Sequence, residues 1–173
     1  MPEEAPMLEE CTTAAERFRG VHQLVDRWLD QRREMLVCFM DLHEACVNDL
    51  EQLEMTRVNR FIELLMDYIS AGHFEVYPQL KEEGRVFEDT AALAVCEQLM
   101  QRLEPSTELV LSFDEDFSSP TRCQHYRARL PEWLARLQQG LTERFALEDQ
   151  LIQRLHAVHE PIAQSAPSGQ SVS

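Results

Sequence analysis

Apolar residues recur along this chain at intervals of three and four, the spacing that gathers them on one side of an α-helix. From about Thr12 to Val47 the stripe consists of Val21, Leu24, Val25, Trp28, Met35, Leu36 and Phe39. Thr12 or Thr13, followed by Glu16, offers a capping box for its start. A second stripe, between about Thr56 and Glu83, passes through Ile62, Leu65, Ile69, Gly72, Val76 and Leu80, with Gly84 as a stop signal. Pro78 interrupts it and predicts a kink or restart, because proline lacks the amide donor and crowds the preceding turn. A third stretch, about Val86 to Leu103, is predicted to end before Pro105. Ser106 then caps a shorter helix bearing Leu109, Val110, Phe113 and Phe117. The string SSPTRC reads as a connection. A last long helix, Leu130 to about Val158, carries Leu134, Leu137, Leu141, Phe145, Ile152 and Leu155, and Pro161 ends it.

No stretch alternates with the period of two that a half-buried strand needs. The expected fold is therefore all-α, an antiparallel four-helix-type bundle of long helices whose third leg is broken into shorter pieces. A chain of 173 residues suits one domain with its own core. That domain is expected over residues 11–160, between a flexible N-terminus (1–10) and a disordered Ser/Pro-rich tail (161–173).

Two charged residues break the apolar stripes. Arg32 falls in line with Trp28, Met35 and Phe39, and Glu148 in line with Leu141, Phe145 and Ile152. An isolated charge on a buried face is costly and a paired one tolerable, so the two are expected to meet between the first and last helices. The alternative places both at the rim, where long side chains reach water. The second helix carries a different irregularity. Asp67, Ser70, Ala71, Phe74 and Pro78 fall opposite its core stripe. An outward aromatic beside small residues and an acid has the make-up of an interface anchor next to a notch. Gly72, on the core side, lets a neighbouring helix approach closely at a propensity cost of about 1 kcal/mol.

The net charge of −15 narrows the partners. Contact with a nucleic-acid backbone needs cationic surface, which this chain lacks, so no direct nucleic-acid binding is expected. From Glu34 to Thr56 there are six acids and no Lys or Arg, and from Lys81 to Pro120 ten acids face only Lys81, Arg85 and Arg102. Such a surface attracts basic proteins. No run is long and apolar enough for a membrane span, and the acidic start MPEEAPMLEE is no secretory signal, so a cytoplasmic location is expected. The cysteines Cys11, Cys38, Cys46, Cys96 and Cys123 form no C-x-x-C pair and read as small hydrophobes. None of the six histidines has an acid three residues before it, as inward-facing Glu-x-x-His metal sites require. His156 and His159 share a helix face but read as a solvated helix end. Phosphate-binding glycine loops and nucleophile motifs are missing, so neither cofactor, metal nor catalysis is expected.

Three strings carry a family likeness: RGVHQLVDRWLDQRREMLV (19–37), LMDYISAGHFEVY (65–77) and ERFALEDQLI (143–152). Their cores V-D-R-W-L, D-Y-x-S-A-G-H-F and R-F-x-L-E-D-x-L-I resemble, in order and spacing, the regulator of sigma D (Rsd)/AlgQ family of bacterial anti-sigma factors. The likeness spans about residues 10 to 158. It implies an all-helical protein that binds domain 4 of the primary sigma factor of RNA polymerase. In that mechanism, binding blocks the sigma surfaces that grip core polymerase and the −35 promoter element. A sigma domain that reads DNA is cationic, so an acidic helical protein can compete for it.

The resemblance places Asp67, Ser70 and Phe74 on the sigma-contacting helix, with Ala71 and Tyr77 in the same region. Asp26 and Asp30, on the polar side of the first helix, are further candidates for contact. Trp28 matches a motif position yet lies on the core stripe, where packing accounts for it. The same scaffold leaves open regulation of metabolic or alarmone signalling through a different protein partner, and a homodimer through the same face.

Overall fold

The computed structural model describes residues 13–165, and every regular element among them is helical. Helix α1 spans Ala14–Asp49; Thr13 is its N-cap, with extended backbone and Oγ1 accepting the Glu16 amide at 3.0 Å. A 3₁₀ turn, Leu50–Gln52, leads to α2, Met55–Ala71. A π-helical turn, Gly72–Val76, then runs without a loop into α3, Tyr77–Val86. After α4, Thr90–Asp116, come α5, Pro120–Tyr126, and a 3₁₀ turn, Arg127–Arg129. Helix α6 covers Leu130–Leu155, followed by a 3₁₀ turn at Ala157–His159 and α7, Glu160–Ser165. The expected flexible N-terminus, Cys11, and the part of the tail beyond residue 165 lie outside the described residues.

Five punctuation marks read differently in the structure. Gly84 does not stop a helix; it lies inside α3, where a Cβ would come within 3.0 Å of both Leu155 and Leu93, so its role is close packing. The stop comes later: Glu88 adopts φ 54°, and Asp89 caps α4 by accepting the Ala92 amide at 3.1 Å. Pro105 does not break the third leg, and α4 passes through it uninterrupted. Ser106 is consequently no cap. Its hydroxyl and that of Thr107 donate to the Leu103 carbonyl, at 2.7 and 3.3 Å, while the carbonyl that Pro105 leaves without a ladder donor is that of Gln101.

In SSPTRC only the serines belong to the turn. Ser119 caps α5 by accepting the Arg122 amide at 3.2 Å, and Pro120 occupies its first position. Pro161, expected to end the last helix, instead sits in the first turn of α7. Residues 161–165, expected in the tail, are thus helical.

Aromatic rings tie the long helices together. Phe39 of α1 meets Phe61 of α2 with ring centres 5.6 Å apart, Phe61 meets Phe113 of α4 at 5.9 Å, and Phe113 meets Trp133 of α6 at 5.6 Å. Trp28 stacks on Tyr68 at 4.9 Å and donates its indole N–H to the Tyr68 carbonyl. Burying each such side chain stabilises the fold by roughly 1.5–3 kcal/mol.

Arg32 and Glu148 do meet, Nη2 to Oε1, at 3.2 Å. The Glu148 side chain is fully buried and Arg32 is 13% exposed. Glu148 Oε1 also accepts the Tyr68 hydroxyl, while Oε2 accepts Tyr77 at 2.5 Å and Arg144 Nε at 3.0 Å. The donors are themselves occupied. Arg32 Nε donates to the Tyr68 oxygen at 2.9 Å and Nη1 to Asp149 at 2.8 Å. Arg144 donates to the hydroxyls of Ser106, Thr107 and Tyr77 at 3.0, 2.7 and 3.1 Å. Burial, followed by the charge of Glu148, pushes both phenols above their ordinary range and keeps them as donors.

Glu148→Gln leaves buried Arg144 short of a counter-charge and Arg32 with only exposed Asp149. We expect it to lower stability by roughly 3–5 kcal/mol, read as a large fall in Tm by calorimetry. An unchanged Tm would show that the carboxylate carries no such load.

Candidate functional site

The outward face of α2 and the π turn presents the residues that the core does not use. Leu65, Ile69, Gly72, Val76 and Leu80 are buried, whereas Asp67 and Ser70 are exposed. A π turn accommodates one residue more than an α turn. His73, Phe74 and Glu75 therefore stand outward in succession between buried Gly72 and buried Val76. Phe74 is 73% exposed, and its ring meets that of His73 edge-on at 4.8 Å. The irregularity lies one turn before Pro78, which occupies the first turn of α3, so the restart expected near the proline is a π turn followed by a proline-initiated helix.

Between α1 and the π turn, lined by Glu75, the chain neighbour of Phe74, runs an open groove of about 360 Å³. Leu24, Trp28 and Val76 are its buried lining, half-buried Ala71 forms part of a wall, and Asp30 and Glu75 stand exposed at its edges. Gly72 sets how closely Trp28 packs on the π turn. A Cβ there would lie 2.9 Å from Trp28 Cζ2 and 3.3 Å from Tyr77 Cζ, so only glycine admits the indole this close to the backbone.

The surrounding charge is mostly negative, although exposed Arg27 also lines the groove. Asp26, Asp30, Asp67 and Glu75 are exposed, and Asp30 is paired with Arg33. Asp26 stands 3.6 Å from His22 Nε2.

The structure thus brings Asp67, Ser70, Ala71 and Phe74 onto one face, with Asp30 across the groove and Asp26 one turn further along α1. Tyr77 is not on that face. It is 3% exposed, its hydroxyl is engaged with Glu148 and Arg144, and it belongs with the structural residues Trp28, Arg32, Gly72 and Glu148.

The sequence reading missed Tyr68 and Arg144 as members of the buried network. Arg144 had a visible signal, since it precedes Glu148 by four residues and so shares its helix face. His156 and His159 are not a solvated helix end; they are 3% and 1% exposed and both bond to buried Glu83. No spacing rule could link Glu83 to a turn more than seventy residues away.

Among the described residues, no group of three or more His, Cys, Asp or Glu side chains is arranged to hold a metal ion. Burial raises the thiols of Cys38, Cys46, Cys96 and Cys123, Cys96 to about 11, which disfavours the nucleophilic thiolate. No helix of the described residues is long and apolar enough to cross a membrane.

A family model described as "Regulator of RNA polymerase sigma(70) subunit, Rsd/AlgQ" matches residues 7–156. A "Regulator of sigma D" of Escherichia coli O6:H1 (strain CFT073) is 32% identical over 149 residues, covering 84% of this chain and 92% of the relative. The protein of that name from Shigella dysenteriae serotype 1 is 31% identical over the same length and coverage. No solved structure matches the chain.

The space at Gly72 yields a test. Gly72→Ala should gain about 1 kcal/mol in helix propensity yet lose more, roughly 1–3 kcal/mol, by pushing on the buried Trp28 ring. We expect a net fall in Tm and altered indole fluorescence; a stabilised variant would mean that the indole yields freely.

Proposed function

The chain belongs to the Rsd/AlgQ family of regulators of the RNA polymerase sigma(70) subunit, and from that premise we propose that it binds domain 4 of the primary sigma factor. Binding there blocks the sigma surfaces that hold core polymerase and the −35 promoter element. The protein acts by occupation rather than catalysis, in the cytoplasm, where polymerase works. We read the long helices as an antiparallel four-helix-type bundle, with α1, α2–α3, α4 and α6 as its legs. Residues 11–160 are its functional unit.

The observation that carries this reading is Phe74, a large aromatic held 73% in solvent, among acids and next in the chain to groove-lining Glu75. Phe74 is the apolar anchor, Ser70 and Ala71 leave room around it, and Asp67, Asp30 and Asp26 supply negative charge. Charge of this sign steers a cationic DNA-reading domain into contact, while the anchor slows its release.

Titration with isolated domain 4 of the cognate primary sigma factor tests the assignment. We expect one-to-one binding that weakens with salt. Phe74→Ala should weaken it by about 2 kcal/mol, roughly thirty-fold, and Asp67→Ala by less. Both residues are exposed, so the variants should keep the parental Tm. No binding by the folded parent protein would redirect the scaffold to another partner, such as a metabolic or alarmone-signalling protein. Binding indifferent to Phe74 would keep the function and move the site.

A further inference from the structure

A second buried polar cluster lies away from Glu148, where the segment after α6 folds back. Glu83 of α3 is wholly buried. Its Oε1 lies 2.7 Å from His156 Nδ1, and its Oε2 lies 2.9 Å from His159 Nδ1. The other nitrogen of His159, Nε2, lies 2.9 Å from Asp89 Oδ2 in the turn between α3 and α4. The rings are packed on their faces, Phe87 against His159 at 4.5 Å and Phe18 against His156 at 4.1 Å.

Proton bookkeeping decides what this geometry means. A ring nitrogen at hydrogen-bond distance from a carboxylate oxygen must carry hydrogen, because two lone pairs do not bond. His159 faces a carboxylate with each nitrogen. A neutral imidazole has one N–H and can satisfy only one of them. Asp89 is a carboxylate here: the bond from His159, followed by the Ala92 amide, holds its carboxyl below the usual range. Buried Glu83, as an anion, likewise requires a compensating cation.

We propose that His159 is a buried imidazolium that serves as a proton-operated latch, tying the C-terminal segment 157–165 to α3 and the α3–α4 turn. Loss of one proton leaves His159 a single N–H for two carboxylates, and one of the two ties opens. The segment it holds includes α7, which lies against α1 and buries Ala163.

Buried Arg17 of α1 donates to Gln79, one turn before Glu83 on α3, at 2.6 Å. His156, at the end of α6, donates through Nδ1 to Glu83 and shares one hydrogen with His22 Nδ1 of α1 across 3.0 Å. His22 is backed by Asp26. Glu88 in the turn, Arg154 of α6 and Glu160 of α7 are exposed. A proton held by the folded protein and given up on unfolding makes stability fall as pH rises. Asp89 acts on the acid side, where its contribution is lost as pH falls through its lowered range. The latch therefore holds between those two limits.

The full chain labelled with ¹⁵N-histidine allows a direct test. Near pH 6, long-range proton–nitrogen spectra should show both His159 nitrogens protonated. As pH rises, loss of the second proton should coincide with faster amide exchange in residues 156–165, corrected for intrinsic rates, while the core stays protected. His159→Gln should show fast exchange in that segment at every pH, with no step. His22→Gln, which leaves both carboxylate bonds of His159 intact, should keep the step. A neutral His159 near pH 6, its hydrogen residing on Glu83 instead, would overturn the proposal. So would protection of 156–165 that ignores the His159 proton, a result readable on the parent protein even if the variant does not fold.

Discussion

Glu148 is the point at which the long helices are held to one another. Its two oxygens receive Arg32 from α1, Tyr68 from α2, Tyr77 from α3 and Arg144 from α6. Arg144 extends the connection to α4 through Ser106 and Thr107. Apolar contacts can slide by a turn with little loss, whereas a fully buried carboxylate with four donors fixes the relative heights of the helices. The network tolerates burial because it is satisfied throughout: each phenol donates to Glu148 and accepts from an arginine.

The outward face follows from that inner constraint. Tyr77 must point inward to reach Glu148, and Gly72 must stay bare to admit Trp28. Both demands fall within six residues of one continuous helical stretch, and the π turn reconciles them. The extra residue that it accommodates leaves His73, Phe74 and Glu75 outside. The exposed aromatic is thus a by-product of how the core is closed, available as a contact surface without weakening the packing beneath it.

Much of this was legible in the sequence because it is periodic. The stripes through Val21–Phe39, Leu65–Leu80 and Leu134–Leu155 lie in the core, and the outward placement of Phe74 and Asp67 followed from the same geometry. Arg32 and Glu148 were visible because a charge on an apolar stripe has few tolerable explanations. Glycine and proline misled, since each has more than one use. Gly84 serves packing rather than termination, Pro105 lies within a helix, and Pro161 begins a helix. Tyr77 was drawn to the surface by its neighbours in the motif, although a π turn shifts the phase of everything after it. The clustering of Glu83 with His156 and His159 depends on long-range folding and leaves no local trace.

The junction between α2 and α3 contains no loop: helical backbone runs from Met55 to Val86 through the π turn. Phe74 is therefore carried on a hydrogen-bonded strut, anchored on either side by buried Gly72 and Val76. A side chain presented this way has little backbone freedom left to lose when something settles over it, so the ordering cost that weakens loop-borne contacts is largely absent. A partner docking on this face would meet a finished surface, and the speed of that encounter would be set by orientation and charge rather than by waiting for a segment to take shape.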